Sequence, residues 1–314
     1  MSLSAPSGRQ HELSLGDQRV VVVEVGGGLR AYAAGDWEVL EGYGEDAMAS
    51  GGRGQALLPW PNRIADGRYR FGGRDLQLAL SEPVRQNASH GLVRFANWTA
   101  AERSERHLLM EHRLHPQPGY PFTLALSIAY ALSEEGLAVT MAARNDGGEP
   151  CPFGAGMHPY LGVGTATVDD VTLRVPAAHR LVTDDRGIPT GVEPVDGTPY
   201  DFRAGRPIGN LELDTPYTGL ARDGDGRARV TLQAPGGERR VCVWLGEGFD
   251  HVMVFTGDSL PPERRRRGLA VEPMTCPPNA FASGEGVRVL APGESVSAVW
   301  GIAPERKFER APAL

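Results

Sequence analysis

Cysteine is scarce in this chain, lysine scarcer still, and long apolar runs and helical periodicity are missing. Each shortage excludes something. The three cysteines among 314 residues are Cys151, Cys242 and Cys276. They are far apart, odd in number and without C-x-x-C spacing, which excludes a disulfide framework or a zinc ribbon and points to a reducing compartment. Lys307 is the one lysine, so the basic residues are nearly all arginine. The net charge of −7 argues against a nucleic-acid partner, which wants a basic face. No apolar run approaches the length that spans a bilayer. The stretch Met1 to Gly16 has no apolar centre, so it does not read as a secretory signal. The expectation is a cytoplasmic protein with no membrane partner. No tandem repeat or composition shift divides residues 1–314, which predicts a single domain rather than a propeller or solenoid.

Glycine (41) and proline (25) are abundant and spread through the chain, cutting it into short apolar runs. That is the pattern of many strands joined by turns. The run 19–25 is β-branched, and Gly26-Gly27-Gly28 turns it into 29–32. The residues after those glycines read as a strand, not a helix, so the glycines do not form a phosphate-binding turn. Further strands are expected at 69–71, 75–80, 107–114, 123–132 and 136–141. Later ones are expected at 228–233, 240–245, 251–256, 286–290 and 295–302. The fold class is all-β, a large sandwich or barrel. The charged run Glu263 to Arg267 reads as a solvated loop.

Five stretches place titratable or hydrogen-bonding groups beside turns. In 154–161, Pro159 biases His158 towards extended backbone, and His158 with Tyr160 could wall a sugar-sized pocket. In 58–67, Asn62 and Arg63 offer an amide and a guanidinium that can hold neighbouring hydroxyls, and the Trp60 indole could stack on a sugar ring. In 87–98, His90 precedes Gly91 in a polar turn. In 211–217, Asp214 can accept from hydroxyls or form an Asx-turn, and Asp250 competes for the same role. In 269–281, Glu272 follows three apolar residues. It is expected at a strand end, partly desolvated, with a raised pKa that suits a general base.

The order Asn-Arg-Ile-x-x-Gly, His-Gly with a downstream Trp, His-Pro-Tyr, Asp, then Glu with Pro-Asn-Ala after it resembles the aldose 1-epimerases, the galactose mutarotases and their relatives. The resemblance runs from about Gly54 to Ile302 and implies a large antiparallel β-sandwich. It implies Glu272 as the general base on the anomeric hydroxyl and His158 as the acid on the ring oxygen, placed on opposite sides of C1. His90, Arg63 and Asp214 would bind the sugar, with Asn62 in the same motif. No metal or cofactor is implied, and the sequence has no His-x-His or His-x-x-x-His pair to hold a metal. The partner would be a monosaccharide, with monomer and homodimer both open. After Tyr160 the chain has Leu161-Gly162 where galactose mutarotases usually have Phe-Asn, and Ala282 stands where related sequences often have Asn, so the sugar stays open. Two alternatives stand beside this reading: a hexose-6-phosphate mutarotase, which would want basic groups at the pocket, and a non-catalytic carbohydrate-binding protein on the same fold.

Overall fold

The computed structural model describes residues 5–306; the ends of the expected 1–314 domain, and Lys307, lie outside them. Every strand pairing in it is antiparallel. The larger sheet has nine strands, in the order Thr99–Arg103, His107–Leu114, Leu124–Ser133, Gly136–Asn145, Ser295–Arg306, Arg239–Leu245, Ala228–Gln233, Thr172–Arg174 and Arg206–Pro207. Its centre shows why these residues make strands. Leu124, Leu126, Ile128, Tyr130 and Leu132 alternate buried with less buried neighbours, and Leu137, Val139, Met141 and Ala143 do the same on the next strand. A period of two puts all of them on one face.

The second sheet has eight strands. Its path runs Pro189–Pro194, Ala177–Thr183, Asp214–Leu220, His251–Phe255, Leu269–Met274, Gly156–Met157 and Ala56–Leu57, with Tyr160–Leu161 also pairing to Leu269–Met274. A four-stranded sheet, Gln10–Leu15 to Trp37–Glu38, joins at the side. Side chains of these sheets share one buried cluster, so the architecture is the large antiparallel β-sandwich expected. The only α-helix among the described residues is the single turn Ala280–Ser283.

Several expectations need correction. The strand expected over 75–80 stops at Gln77, and the one over 286–290 begins at Arg288. Ala177–Thr183, Pro189–Pro194 and Asp214–Leu220 are strands without a strand-like pattern in the sequence. The run Glu263 to Arg267 is not merely solvated. Arg266 is largely buried and reaches Asp169 at 2.5 Å and Asp258 at 2.8 Å, while Arg264 reaches Glu41 at 3.2 Å. A guanidinium with five donors can tie several loops at once, and here it does so. Cys151, Cys242 and Cys276 are all buried and unbridged. No described helix is long and apolar enough to cross a membrane.

Candidate active site

Register builds the site. Leu269–Met274 is buried at all six positions, being covered on both faces at the middle of its sheet. On one side it pairs with two short strands in succession, Gly156 opposite Met274 and Tyr160 opposite Ala270. Carrying the antiparallel register between those pairs puts residue 158 opposite residue 272. His158 Nε2 lies 3.2 Å from Glu272 Oε1. On the other side Glu272 faces Met253, and the next row across the sheet runs Tyr160, Ala270, Phe255, Asp214. Because side chains two apart share a face, Asp214, Phe255, Tyr160 and Glu272 all point the same way.

That face lines a cavity of about 260 Å³. The volume lies just under the roughly 300–1,000 Å³ of drug-sized pockets and suits one small ring. Glu272, His158, His90, Arg63, Asp214 and Asn62 all line it. Asp250 does not; it is on the surface, paired with Arg222 at 2.8 Å. Trp60 does not either. It is 2% exposed and packs on Phe281 at 5.6 Å, so its face is spent in the core and not offered to a ligand. Tyr160 is the ring that walls the cavity, stacked on His158 at 4.9 Å and held by donating to the Gly51 carbonyl at 2.9 Å.

His158 is fixed on every side. Its backbone N–H donates to the Gln55 carbonyl at 3.1 Å and its carbonyl accepts from Gly54 at 2.8 Å. The His90 ring meets its edge at 5.5 Å. Gly52 closes the remaining side at φ +81°, where a Cβ would stand 2.5 Å from His158 Cδ2, so only glycine fits. Asn62 (φ 54°), His90 (φ 63°) and Asn279 (φ 65°) are non-glycine residues in left-handed backbone close to the site. Such positions cost about 1–3 kcal/mol and cluster where geometry matters. Here they are held by neighbours: His90 N–H donates to the Asn62 carbonyl at 2.8 Å, and Asn279 Oδ1 accepts from Ala65 N–H at 3.0 Å.

Two corrections concern the acid–base pair. Glu272 is not at a strand end but fourth of six, and it is almost fully buried. Nor do Glu272 and His158 stand on opposite sides of a sugar-sized gap; they touch, because the register sets them opposite each other. Burial pushes Glu272 well above the usual carboxylate range, Asp214 adds to this, and Arg63 opposes it. Burial lowers His158 to about 3, with Arg94 and Arg63 adding to the effect. His90 is pushed well below its ordinary value by burial, then by His158, Arg94 and Arg63. Each group's charged form is disfavoured, so over a wide pH range the touching pair holds one proton between them. Glu272 Oε2 and His158 Nδ1 are buried without a hydrogen-bond partner.

Arg63 also differs from expectation. Its guanidinium is not free to fork onto two hydroxyls, because Nε and Nη2 already fork onto Glu82 at 2.8 and 3.2 Å. Its Nη1 faces Asp214 at 3.8 Å, and Arg85 reaches the same carboxylate at 3.4 Å. Burial works against the charge of Arg63, but Glu82, Asp214 and Glu272 outweigh it and raise its pKa. Glu82, Arg94 and Gly52 line the cavity and were missed by sequence reasoning. Among the described residues, no group of three or more His, Cys, Asp or Glu side chains is arranged to hold a metal ion.

A family model described as Aldose 1-epimerase matches residues 10–302. The chain is 32% identical over 302 residues to the uncharacterized protein YihR of Escherichia coli K12, covering 96% of this chain and 95% of that one. It is 27% identical over 212 residues to the aldose 1-epimerase of the same organism, covering 65% and 60%. Among solved structures, a GalM/aldose epimerase homologue from C. elegans superimposes with a TM-score of 0.85 at 16% identity, covering 95% of this chain and 99% of that one. A putative aldose 1-epimerase from E. coli K12 gives 0.81 at 20% identity, with the same coverages. At these identities the superpositions speak to the fold.

Proposed function

The chain belongs to the aldose 1-epimerase family, and from that premise we propose that it is a mutarotase, an isomerase that interconverts the α and β anomers of an aldose. The observation that carries this reading is the buried, touching Glu272–His158 pair on the floor of a cavity sized for one sugar ring. A cyclic aldose is a hemiacetal. Opening it takes the proton from the C1 hydroxyl, breaks the C1–O5 bond with its electron pair going to O5, and adds a proton to O5. Both oxygens are bonded to the same carbon, so an adjacent acid and base can reach both.

In the reactive arrangement the pair's proton sits on His158. Glu272, which lines the cavity, accepts the proton of the C1 hydroxyl, and His158 beside it protonates O5. The pair still holds one proton, now on Glu272; rotation about C1–C2 and the reverse transfers close the other anomer and return that proton to His158. A positioned acid or base supplies about 10²–10⁴-fold each. His90, edge-on to His158 and uncharged, hydrogen-bonds the sugar near O5. Asp214 accepts from hydroxyls on the far side. Arg63, locked by Glu82, orients Asp214 and offers the rest of Nη1, and Asn62 shapes the turn that presents Arg63 and His90. We further propose that residues 1–314 act as one domain and that the protein works in the cytoplasm.

The test is saturation-transfer NMR of anomer exchange over a panel of aldoses. Glu272→Gln keeps the shape and removes the base. It should cut exchange at saturating sugar by about 100-fold or more while sugar binding persists. Unchanged exchange would remove Glu272 from the mechanism. Binding without acceleration in the wild type would favour a carbohydrate-binding protein on this fold.

A further inference from the structure

We propose that the aldose taken by this pocket carries one negative charge, on a carboxylate or sulfate-type group, and that Arg94 binds that group. This rests on the reading of the pocket as an aldose site and names the class of aldose. Arg94 is a half-buried residue that lines the cavity. The guanidinium makes one hydrogen bond, from Nη2 to the Ser89 carbonyl at 3.4 Å, which is longer than the usual range of about 2.7–3.2 Å. Among the described residues no carboxylate lies within 4.0 Å of it. Burial lowers its pKa, with Glu82 only partly offsetting this. Its other protein contact is the exposed Phe95 ring at 5.5 Å, so most of its five donors face the cavity without a protein acceptor and are open to an anion.

The other charges facing the pocket are already matched. Arg63 is forked onto Glu82, and Asp214 sits between Arg63 and Arg85. Glu272 and His158 share one proton. Arg94 is therefore the surplus cation, and its charge is one. A phosphate ester carries about −1.5 to −2 near pH 7, which would leave negative charge uncompensated beside Glu82 and Asp214. A carboxylate or a sulfate-type group matches a single guanidinium in charge and in two-pronged geometry. This argues against the hexose-6-phosphate alternative and for a monoanionic sugar.

The experiment compares glucose and galactose with their uronates, 6-sulfates and 6-phosphates. Anomer exchange is read by saturation-transfer NMR and binding separately by calorimetry, for wild type, Arg94→Gln and Arg94→Lys. Wild type should favour a monoanionic sugar over its neutral parent by about 10- to 100-fold in kcat/KM, and over the phosphate. Arg94→Gln should collapse that ratio chiefly through KM. Arg94→Lys should keep part of it, and added salt should narrow it. Equal handling of neutral and monoanionic sugars, preference for the phosphate, or an equal loss on both classes in Arg94→Gln would overturn the inference while leaving the mutarotase reading in place. Monoanion binding that depends on Arg94 without any exchange would sink the mutarotase reading and leave the anion site standing. Should Arg94→Gln fail to fold, the wild-type ratio and Arg94→Lys decide alone. A wild type that neither binds nor turns over any of these sugars would overturn both.

Discussion

The two halves of the pocket handle charge in opposite ways. On the floor, Glu272 and His158 are 2% and 5% exposed and, within ion-pair distance among the described residues, contact only each other. On the wall, Arg63, Glu82 and Asp214 are more exposed and, together with Arg85 outside the cavity, are cross-linked into a network of opposite charges. Burial without a network moves pKa values and produces groups that trade protons. Burial with a network leaves charges in place and produces groups that bind. Glu82 shows the second case: burial alone would raise its pKa, but the hydrogen bond and charge of Arg63 bring it below the ordinary carboxylate value. Acid–base work and recognition are thus separated within one cavity by how each carboxylate is partnered.

Substitutions on the two sides should break this contrast in different kinetic terms. The largest effect belongs to the floor. His158→Asn should match Glu272→Gln, each losing about 100-fold or more in kcat while sugar still binds by calorimetry. The double variant should be little worse than either, because the two act as a unit. Next comes Gly52→Ala. It adds a methyl group against the His158 ring at a backbone angle alanine dislikes, and should lower kcat by about 10- to 100-fold through a displaced imidazole. A normal kcat in a folded Gly52→Ala protein would mean that the position of His158 matters less than argued.

The wall should answer differently. Arg63→Ala removes the fork on Glu82 and one neighbour of Asp214, so it should raise KM by about tenfold and change kcat less. A loss mainly in kcat would put Arg63 in the chemistry and erase the distinction between the two halves. The smallest effect is expected at Asp250, which lies outside the cavity in an exposed pair with Arg222. Asp250→Ala should leave kcat and KM within about twofold.

Much of this is legible in the sequence, for identifiable reasons. The strands His107–Leu114 and Ala228–Gln233 can be read to the residue because their apolar runs are bounded by turn residues. Asp214–Leu220 and Pro189–Pro194 cannot, because Pro216, Gly219, Gly191 and Pro194 read locally as turns, and only pairing across the sheet makes them strands. The candidate residues stand out as unusual polar groups beside Pro and Gly. Their relations do not. That 158 stands opposite 272 comes from two short strands flanking His158 and pairing with one long one, a register invisible in either motif. Glu82 lies in a polar stretch that reads as loop, and its partnership with Arg63 exists only in the fold. Arg94 lies four residues after His90 in the same polar turn, but nothing in a sequence tells an idle arginine from a solvated one.

The most direct test of the central claim, that burial makes Glu272 and His158 a one-proton pair, is the pH dependence of kcat for the wild type. A second proton joins as pH falls through the depressed value of His158, near 3, and the last proton leaves as pH rises through the raised value of Glu272. Activity should therefore hold a broad plateau across neutrality, with its acid limb well below the ordinary histidine range and its alkaline limb well above the ordinary carboxylate range. A narrow bell confined between the ordinary carboxylate and histidine values, about 4.3 and 6.5, would contradict the account.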